Sequence, residues 1–240
     1  MLPLQDFLQQ SETQQIKREL PLKLYEVDFN RDPNRSIYHD QSTFLSPADG
    51  VIVYAKVVHP KENMIEVKGM NYTIETLMQE TMKYPCLIIG IFMTALDVHI
   101  NRIPTNGFIK HTKLPPLKVA NLSMREVEKD ILKRLNLDYS HMEYMLFNER
   151  VKNRIYAPNL KQPYYILQIA DFEVDVIAHF GDSDDYYTQG ERFSVVRMGS
   201  QVDLIIPFIN PKLQFESLLN NCLLYHVEAG KDRLVRINGI

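Results

Sequence analysis

The chain has little cysteine and makes no visible joint use of it. Cys86 and Cys222 are the two thiols in 240 residues, and no Cys-x-x-Cys spacing occurs. That argues against a disulfide framework or a cysteine zinc site and points to a reducing compartment. Cys86 lies in an apolar run and reads as a small buried hydrophobe. No basic block stands out and the formal net charge is −3, so nothing in the charge balance argues for nucleic acid. The N-terminus lacks the charged-then-apolar pattern of a signal peptide. The longest apolar run, Cys86 to Leu96, falls well short of the ~20 residues that span a bilayer. These absences lead to the expectation of a cytoplasmic protein, at most peripheral on the cytosolic face of a membrane. Neither a repeat nor a low-complexity linker is seen, so one domain is expected.

What is present is an ordinary globular composition, 45% hydrophobic and 24% charged, with room for one sizeable core. Leu4, Phe7 and Leu8 recur at helical spacing, and 30–41 reads as a polar loop. From Thr43 the strand signals dominate: 51–58, 64–70, 87–93, 98–102, 107–111, 164–170, 174–178, 194–198, 202–206, 223–227 and 234–237. Thr73 is placed to cap a short helix carrying Ile74, Leu77, Met78 and Met82. Ser123-x-x-Glu126 has capping-box spacing before an amphipathic helix to about Leu135. Another turn or two of helix is expected within 139–147, and a short helix near 213–219. The class is α+β, mainly β: a single domain of antiparallel sheets with barrel-sandwich-like character and a few short helices. Residues 1–42 form an N-terminal helix and loop, and 43–240 the main domain.

The most informative residues are Gly199-Ser200, set between two strand patterns, 194–198 and 202–206. An isolated Gly-Ser pair is ordinarily a turn or a bulge. A serine after a glycine can also attack the carbonyl behind it, so that the chain cuts itself and the serine becomes a cofactor.

Three segments, in this order, resemble the phosphatidylserine decarboxylase family of pyruvoyl enzymes: Ser46-Pro-Ala-Asp-Gly-Val-Ile52, Asp97-Val-His-Ile-Asn-Arg-Ile-Pro104 and Met198-Gly-Ser-Gln-Val-Asp203. Segments 68–77 and 148–151 also fit, and the resemblance covers roughly 43–207. Met198 and Gln201 stand where the family often has Leu and Thr. Arg102 stands where some members carry a second histidine, and 118–144 looks longer than usual.

The resemblance implies self-cleavage between 199 and 200. Ser200 Oγ attacks the Gly199 carbonyl, an N-to-O acyl shift gives an ester, and β-elimination separates a large and a small chain. Hydrolysis of the remaining dehydroalanine leaves a pyruvoyl group and ammonia. His99 is then the base, with a pKa near neutrality, and, standing in for both family histidines, also the proton donor in decarboxylation. Asp49 orients it, with Asp97 as the rival acid. The implied cofactor is the covalent pyruvoyl group from Ser200. The implied partner is a phospholipid at a membrane surface, phosphatidylserine becoming phosphatidylethanolamine; a homo-oligomer is compatible with this. Two alternatives stand: the same chemistry on a soluble amino acid, and an unprocessed β-rich binding module. Each site residue also has a plain reading, Asp49-Gly50 as a turn pair and His99 as a structural histidine. Arg102 is equally a phosphate or carboxylate binder and a surface ion-pair partner. His59, His111, His141, His179 and His226 read as surface or core residues.

Overall fold

The strand Cys86–Met93 is apolar because both of its faces are covered. The computed structural model describes residues 1–10, 13–14, 31–114, 121–172, 177–196, 200–219 and 223–240. Its strands are β1 (Leu2–Pro3), β2 (Thr43–Leu45), β3 (Gly50–Val58), β4 (Ile65–Val67), β5 (Met70–Tyr72), β6 (Cys86–Met93), β7 (Ile100–Arg102), β8 (Gly107–Leu114) and β9 (Arg150–Ala157). They continue as β10 (Gln162–Ala170), β11 (Ile177–His179), β12 (Tyr186–Tyr187), β13 (Arg192–Val196), β14 (Ser200–Pro207), β15 (Gln214–Ser217), β16 (Tyr225–Val227) and β17 (Arg233–Asn238). The helices are α1 (Leu4–Gln9), α2 (Ile74–Met78), α3 (Arg125–Lys129) and α4 (Tyr144–Phe147), with a π-helical turn at Asp130–Arg134 and a 3-10 turn at Tyr139–His141.

A nine-stranded sheet, ordered β1-β16-β3-β6-β14-β10-β9-β8-β12, has β14 at its centre. Three-stranded sheets β11-β13-β7 and β15-β17-β2 accompany it, and the pairings described are antiparallel. Side-chain alternation along β6 and β14 builds two cores. Ile88, Phe92 and Ile205 join Leu77, Met78, Val127 and Met145 from the helices. Ile89, Ile91, Met93, Val202 and Leu204 join Phe44, Phe193 and Val235 from the small sheets. The large sheet thus has helices on one face and sheet on the other, the mainly β, antiparallel class expected. Each fully buried Ile or Leu contributes roughly 1.5–3 kcal/mol by leaving water.

Several expectations shift. Thr73 does cap α2, accepting from the Thr76 N–H at 3.2 Å. The Ser123–Glu126 capping box is not formed: Met124 is the N-cap, and Ser123 Oγ accepts from the Arg125 N–H at 3.3 Å. The helix expected at 213–219 is instead the strand β15, paired with β17. There Phe215 packs on Phe44 and Phe208, with ring centroids 6.1 and 6.0 Å away. The run 64–70 breaks into a hairpin at Lys68-Gly69, both at positive φ, with Val67 opposite Met70. Strand β9 was not foreseen, because its inward positions include Asn153 among Lys152 and Arg154. The strand expected at 174–178 lies partly outside the described residues.

Gly50 begins β3 where the chain touches β6. Its φ is 152°, and a Cβ there would overlap the Phe92 carbonyl oxygen. Only glycine fits so close an approach, and the turn that it ends carries Asp49.

Candidate active site

Ser200 is the first residue of β14, opposite Met93 on β6 and Ala170 on β10. The pleat aims it at the face shared with Val202 and Leu204. It is fully buried, and its Oγ–H donates to Met93 Sδ at 3.5 Å. Met198 and Gly199 lie outside the described residues. His99, just before β7, is also fully buried, and its carbonyl accepts from the Val196 N–H at 3.1 Å. His99 and Ser200 therefore bracket the short stretch holding the Gly-Ser bond, since four residues reach at most about 14 Å.

The His99 Nδ1 lies 3.0 Å from the Asp97 carbonyl. A carbonyl only accepts, so Nδ1 carries the hydrogen and Nε2 the basic lone pair. Burial pushes this imidazole down to about 4, against the raising influence of Asp97. The near-neutral value expected from sequence is thereby corrected: burial leaves the His99 imidazole neutral in the physiological range.

Asp49 is buried in the turn before β3, and Arg35 grips it through two hydrogen bonds of 2.5 Å. The Ala229 N–H donates to it at 2.7 Å. Burial raises the Asp49 carboxyl above its ordinary range, against the pull of Arg35. The sequence reading gives Asp49 the task of orienting His99. In the structure the Asp49 carboxylate is bound by Arg35 and Ala229, while the Asp97 carbonyl holds the imidazole.

The Asp97 side chain has its own partners. Oδ1 meets His226 Nε2 at 2.6 Å, and Oδ2 accepts from the Thr94 N–H and hydroxyl, each at 2.7 Å. Burial would raise Asp97; His226 and Thr94 outweigh it and hold the carboxyl below its ordinary range. Burial would lower His226, and Asp97 outweighs that, so the imidazole is raised. Phe7 of α1 stacks on His226 at 3.6 Å and 5°. Sequence reasoning set His226 aside and did not mark Arg35. Arg102 pairs with Asp32 at 3.6 Å and donates to the Gly190 carbonyl at 2.8 Å, but at 7% exposure it is buried and not the surface ion-pair partner expected.

Beside these groups opens a cavity of about 360 Å³, lined by Arg31, Arg35, Asp49, Asp97, Val98 and His226 among others. Cys86 takes no part, since burial pushes its thiol up to about 12. Asp130, Asp138 and His141 have ligand atoms within 4.8 Å of one another. Asp130 is already engaged by Arg134 and by His141 at 2.9 Å, so this grouping reads as an ion-pair cluster.

On the opposite face of β14 lies a buried polar cluster. The Tyr54 hydroxyl donates to Asp203 Oδ1 at 2.8 Å, and Gln201 Nε2 donates to that oxygen and to the Tyr54 oxygen at 2.7 Å. Tyr144 donates to Gln201 Oε1 at 2.6 Å. Gly90 makes room for the Tyr54 ring, which a Cβ would overlap. Asp203 Oδ2 has no hydrogen-bond partner among the described residues, and burial raises the carboxyl to about 7. A carboxyl raised on folding is stabilising in its neutral form. That stability is complete below the unfolded value and is lost as pH climbs towards 7, by roughly 1.4 kcal/mol per pH unit between pH ~4 and ~7. Asp203→Asn should flatten this slope, and urea midpoints at pH 5 and pH 7.5 would check it.

The sequence profile of the phosphatidylserine decarboxylase family matches residues 23–231. The chain belongs to the phosphatidylserine decarboxylase family. It is accordingly a decarboxylase, a carboxy-lyase. One relative of this family member, in Methanocaldococcus jannaschii, bears the provisional name archaetidylserine decarboxylase proenzyme. It is 29% identical over 188 residues, covering 78% of this chain and 80% of its own. The phosphatidylserine decarboxylase proenzyme of Prosthecochloris aestuarii is 28% identical over 189 residues, 78% of this chain and 69% of its own. That of Wolbachia pipientis is 27% identical over 183 residues, 75% and 64%.

Proposed function

We propose that this decarboxylase matures by cutting itself between Gly199 and Ser200 and then acts, through the pyruvoyl group so formed, on phosphatidylserine. The observation that carries the reading is Ser200, buried at the head of the central strand and four residues beyond Val196, whose N–H bonds the carbonyl of His99, an imidazole whose Nε2 holds the lone pair. The names of the relatives, proenzymes of lipid decarboxylases, support it.

In maturation His99 takes the Ser200 hydroxyl proton, and Oγ attacks the Gly199 carbonyl. The C–N bond breaks as the ester forms, and the proton goes to the freed amine. Loss of the Cα proton then breaks the Cβ–Oγ bond, so that Oγ leaves with the Gly199 carboxylate. One water replaces the nitrogen, which departs as ammonia. The pyruvoyl group supplies an electrophilic carbonyl that takes up the electrons left behind by carbon dioxide. The residues fit its formation, because Ser200 is shielded from water and the tautomer of the buried His99 leaves Nε2 basic. The Asp97 carbonyl keeps the His99 tautomer, and the Asp97–His226 pair braces that carbonyl. The neighbouring cavity is lined by Arg31, Arg35 and Lys231 together with Asp49, Asp97, Glu228 and Asp232, and Arg35 and Lys231 are already paired with Asp49 and Glu228. Residues 43–240 act as the catalytic domain in this reading. A lipid substrate places a cytoplasmic enzyme at a membrane surface.

Carbon dioxide release from phosphatidylserine vesicles, compared with free amino acids, tests the substrate. Release from free amino acids alone would replace the lipid with a soluble amine while keeping the chemistry. Maturation should also have its own pH profile. His99 works as the neutral base, and burial holds it at about 4. The cleavage rate should therefore stay level from pH 8 down to about 5.5 and fall only as pH drops towards the His99 value. A midpoint at the ordinary histidine value would show that His99 is not the base or is not buried.

A further inference from the structure

A buried relay of amides runs across the sandwich to Ser200. Asn153 fixes its direction, because its Nδ2 donates to the Ile166 carbonyl at 3.1 Å, and a carbonyl only accepts. The same Nδ2 donates to Gln168 Oε1 at 2.9 Å. Gln168 must then turn its Nε2 towards Asn101 Oδ1 and Ser194 Oγ, both at 2.6 Å. Asn101 in turn presents its Nδ2 to Met93 Sδ at 3.7 Å, the same sulfur that accepts from Ser200 Oγ. At the other end Asn153 Oδ1 faces His111 Nδ1 at 2.6 Å and His179 Nε2 at 3.1 Å. The oxygen end of this amide is fixed, so both imidazoles donate to it.

Asn101, Asn153, Gln168 and Ser194 are fully buried. Such a network is costly in an apolar core unless its bonds are made. Here the strong bonds point one way and end on a weak acceptor, where an amide N–H and the reacting hydroxyl share one thioether. A carboxylate or amide at that place would hold the hydroxyl proton firmly. A thioether holds the rotamer and leaves the proton ready to transfer.

We infer that Asn101 and Met93 are positioning residues for the reaction at residue 200: the relay fixes the Met93 sulfur, and the sulfur fixes the Ser200 hydroxyl. The inference rests on the self-cleavage proposed above. It assigns a function to the Asn of the Asp97–Pro104 segment and explains why a polar chain crosses an otherwise apolar sandwich.

The test is the rate at which freshly made full-length chain becomes two chains, in the wild type, Met93→Leu, Asn101→Leu and the double variant, with thermal unfolding of each. Each single change should slow cleavage on the order of 10–100-fold, the effect of misplacing a reacting atom by about 1 Å. Because Asn101 acts through Met93, the double variant should be no slower than the slower single one. The pH profile should keep its wild-type midpoint, since His99 is untouched. Asn101→Asp keeps the Gln168 bond while removing the donor, and takes the place of Asn101→Leu if that variant does not fold. Single variants that cut at the wild-type rate, or effects that multiply in the double variant, would overturn the inference. A wild-type chain that stays whole would instead sink the self-cleavage reading beneath it, a distinguishable result.

Discussion

Ser200→Ala is expected to leave the chain in one piece and to abolish decarboxylation. The substitution removes the one atom that can attack the Gly199 carbonyl, and with it the source of the pyruvoyl group. No neighbouring group compensates, because position 200 is fully buried and its Oγ touches Met93 Sδ. The loss in both reactions should exceed roughly 10³-fold, as it does when a covalent nucleophile is deleted elsewhere. Stability should change by no more than about 1 kcal/mol, the scale of one neutral hydrogen bond. Gel mobility, carbon dioxide release and an unfolding curve on the same sample separate a chemical loss from a structural one. A variant that still releases carbon dioxide would show that the lasting electrophile does not come from residue 200.

His226→Ala carries the second large effect, on stability first. It leaves the Asp97 carboxylate, which is 1% exposed, with Thr94 alone. Stripping one partner from a buried ion pair costs roughly 3–5 kcal/mol. The Phe7 stack is lost as well, about 0.5–1.5 kcal/mol more. The sign of the pH dependence follows from the two shifts. His226 is raised on folding, so its share is present below the ordinary imidazole value and lost as pH rises through the folded one. Asp97 is lowered, so its share is present above the ordinary carboxylate value and lost as pH falls through the folded one. The deficit of His226→Ala relative to wild type should therefore be greatest near pH ~4–6.5 and shrink towards pH 8. Adding Asp97→Asn to the variant should recover part of the loss, since no bare carboxylate is then buried, while the Asp97 carbonyl still holds His99. Urea denaturation of wild type, His226→Ala, Asp97→Asn and the double variant at pH 5.5 and 8 measures this cycle. A cost below about 1 kcal/mol would mean that the pair is an ordinary solvated contact.

Much of this architecture is legible in the sequence, and the reasons for the exceptions are physical. The strands β6 and β14 announce themselves because burial on both faces demands apolar residues in succession. Strand β9 hides because its inward Asn153 belongs to the amide relay, so its pattern is polar where a core strand is usually apolar. The segment 213–219 carries apolar residues at a spacing that fits a short helix or a strand; pairing with β17, a tertiary effect, decides for the strand.

The site divides in the same way. Gly199, Ser200 and His99 are visible because they lie in short motifs, 198–203 and 97–104, that resemble the family's. Their supports are not, because each comes from a distant part of the chain: Met93 reaches Ser200 across 107 residues, and His226 reaches Asp97 across 129. Arg35 sits in a polar loop whose composition gives no sign that its guanidinium will be buried against Asp49. The lowered basicity of His99 is likewise a property of burial, which spacing alone cannot show.

The most direct test of the central claim is the intact mass of the purified wild-type protein under denaturing conditions. Two chains are expected, one ending at Gly199 and the other beginning at residue 200 with an N-terminus blocked by a pyruvoyl group. The summed masses should differ from that of the uncut chain only by the gain of one water and the loss of one ammonia, because the cut itself consumes no water. A single chain with the full mass, from protein that is folded and decarboxylates phosphatidylserine, would contradict the account.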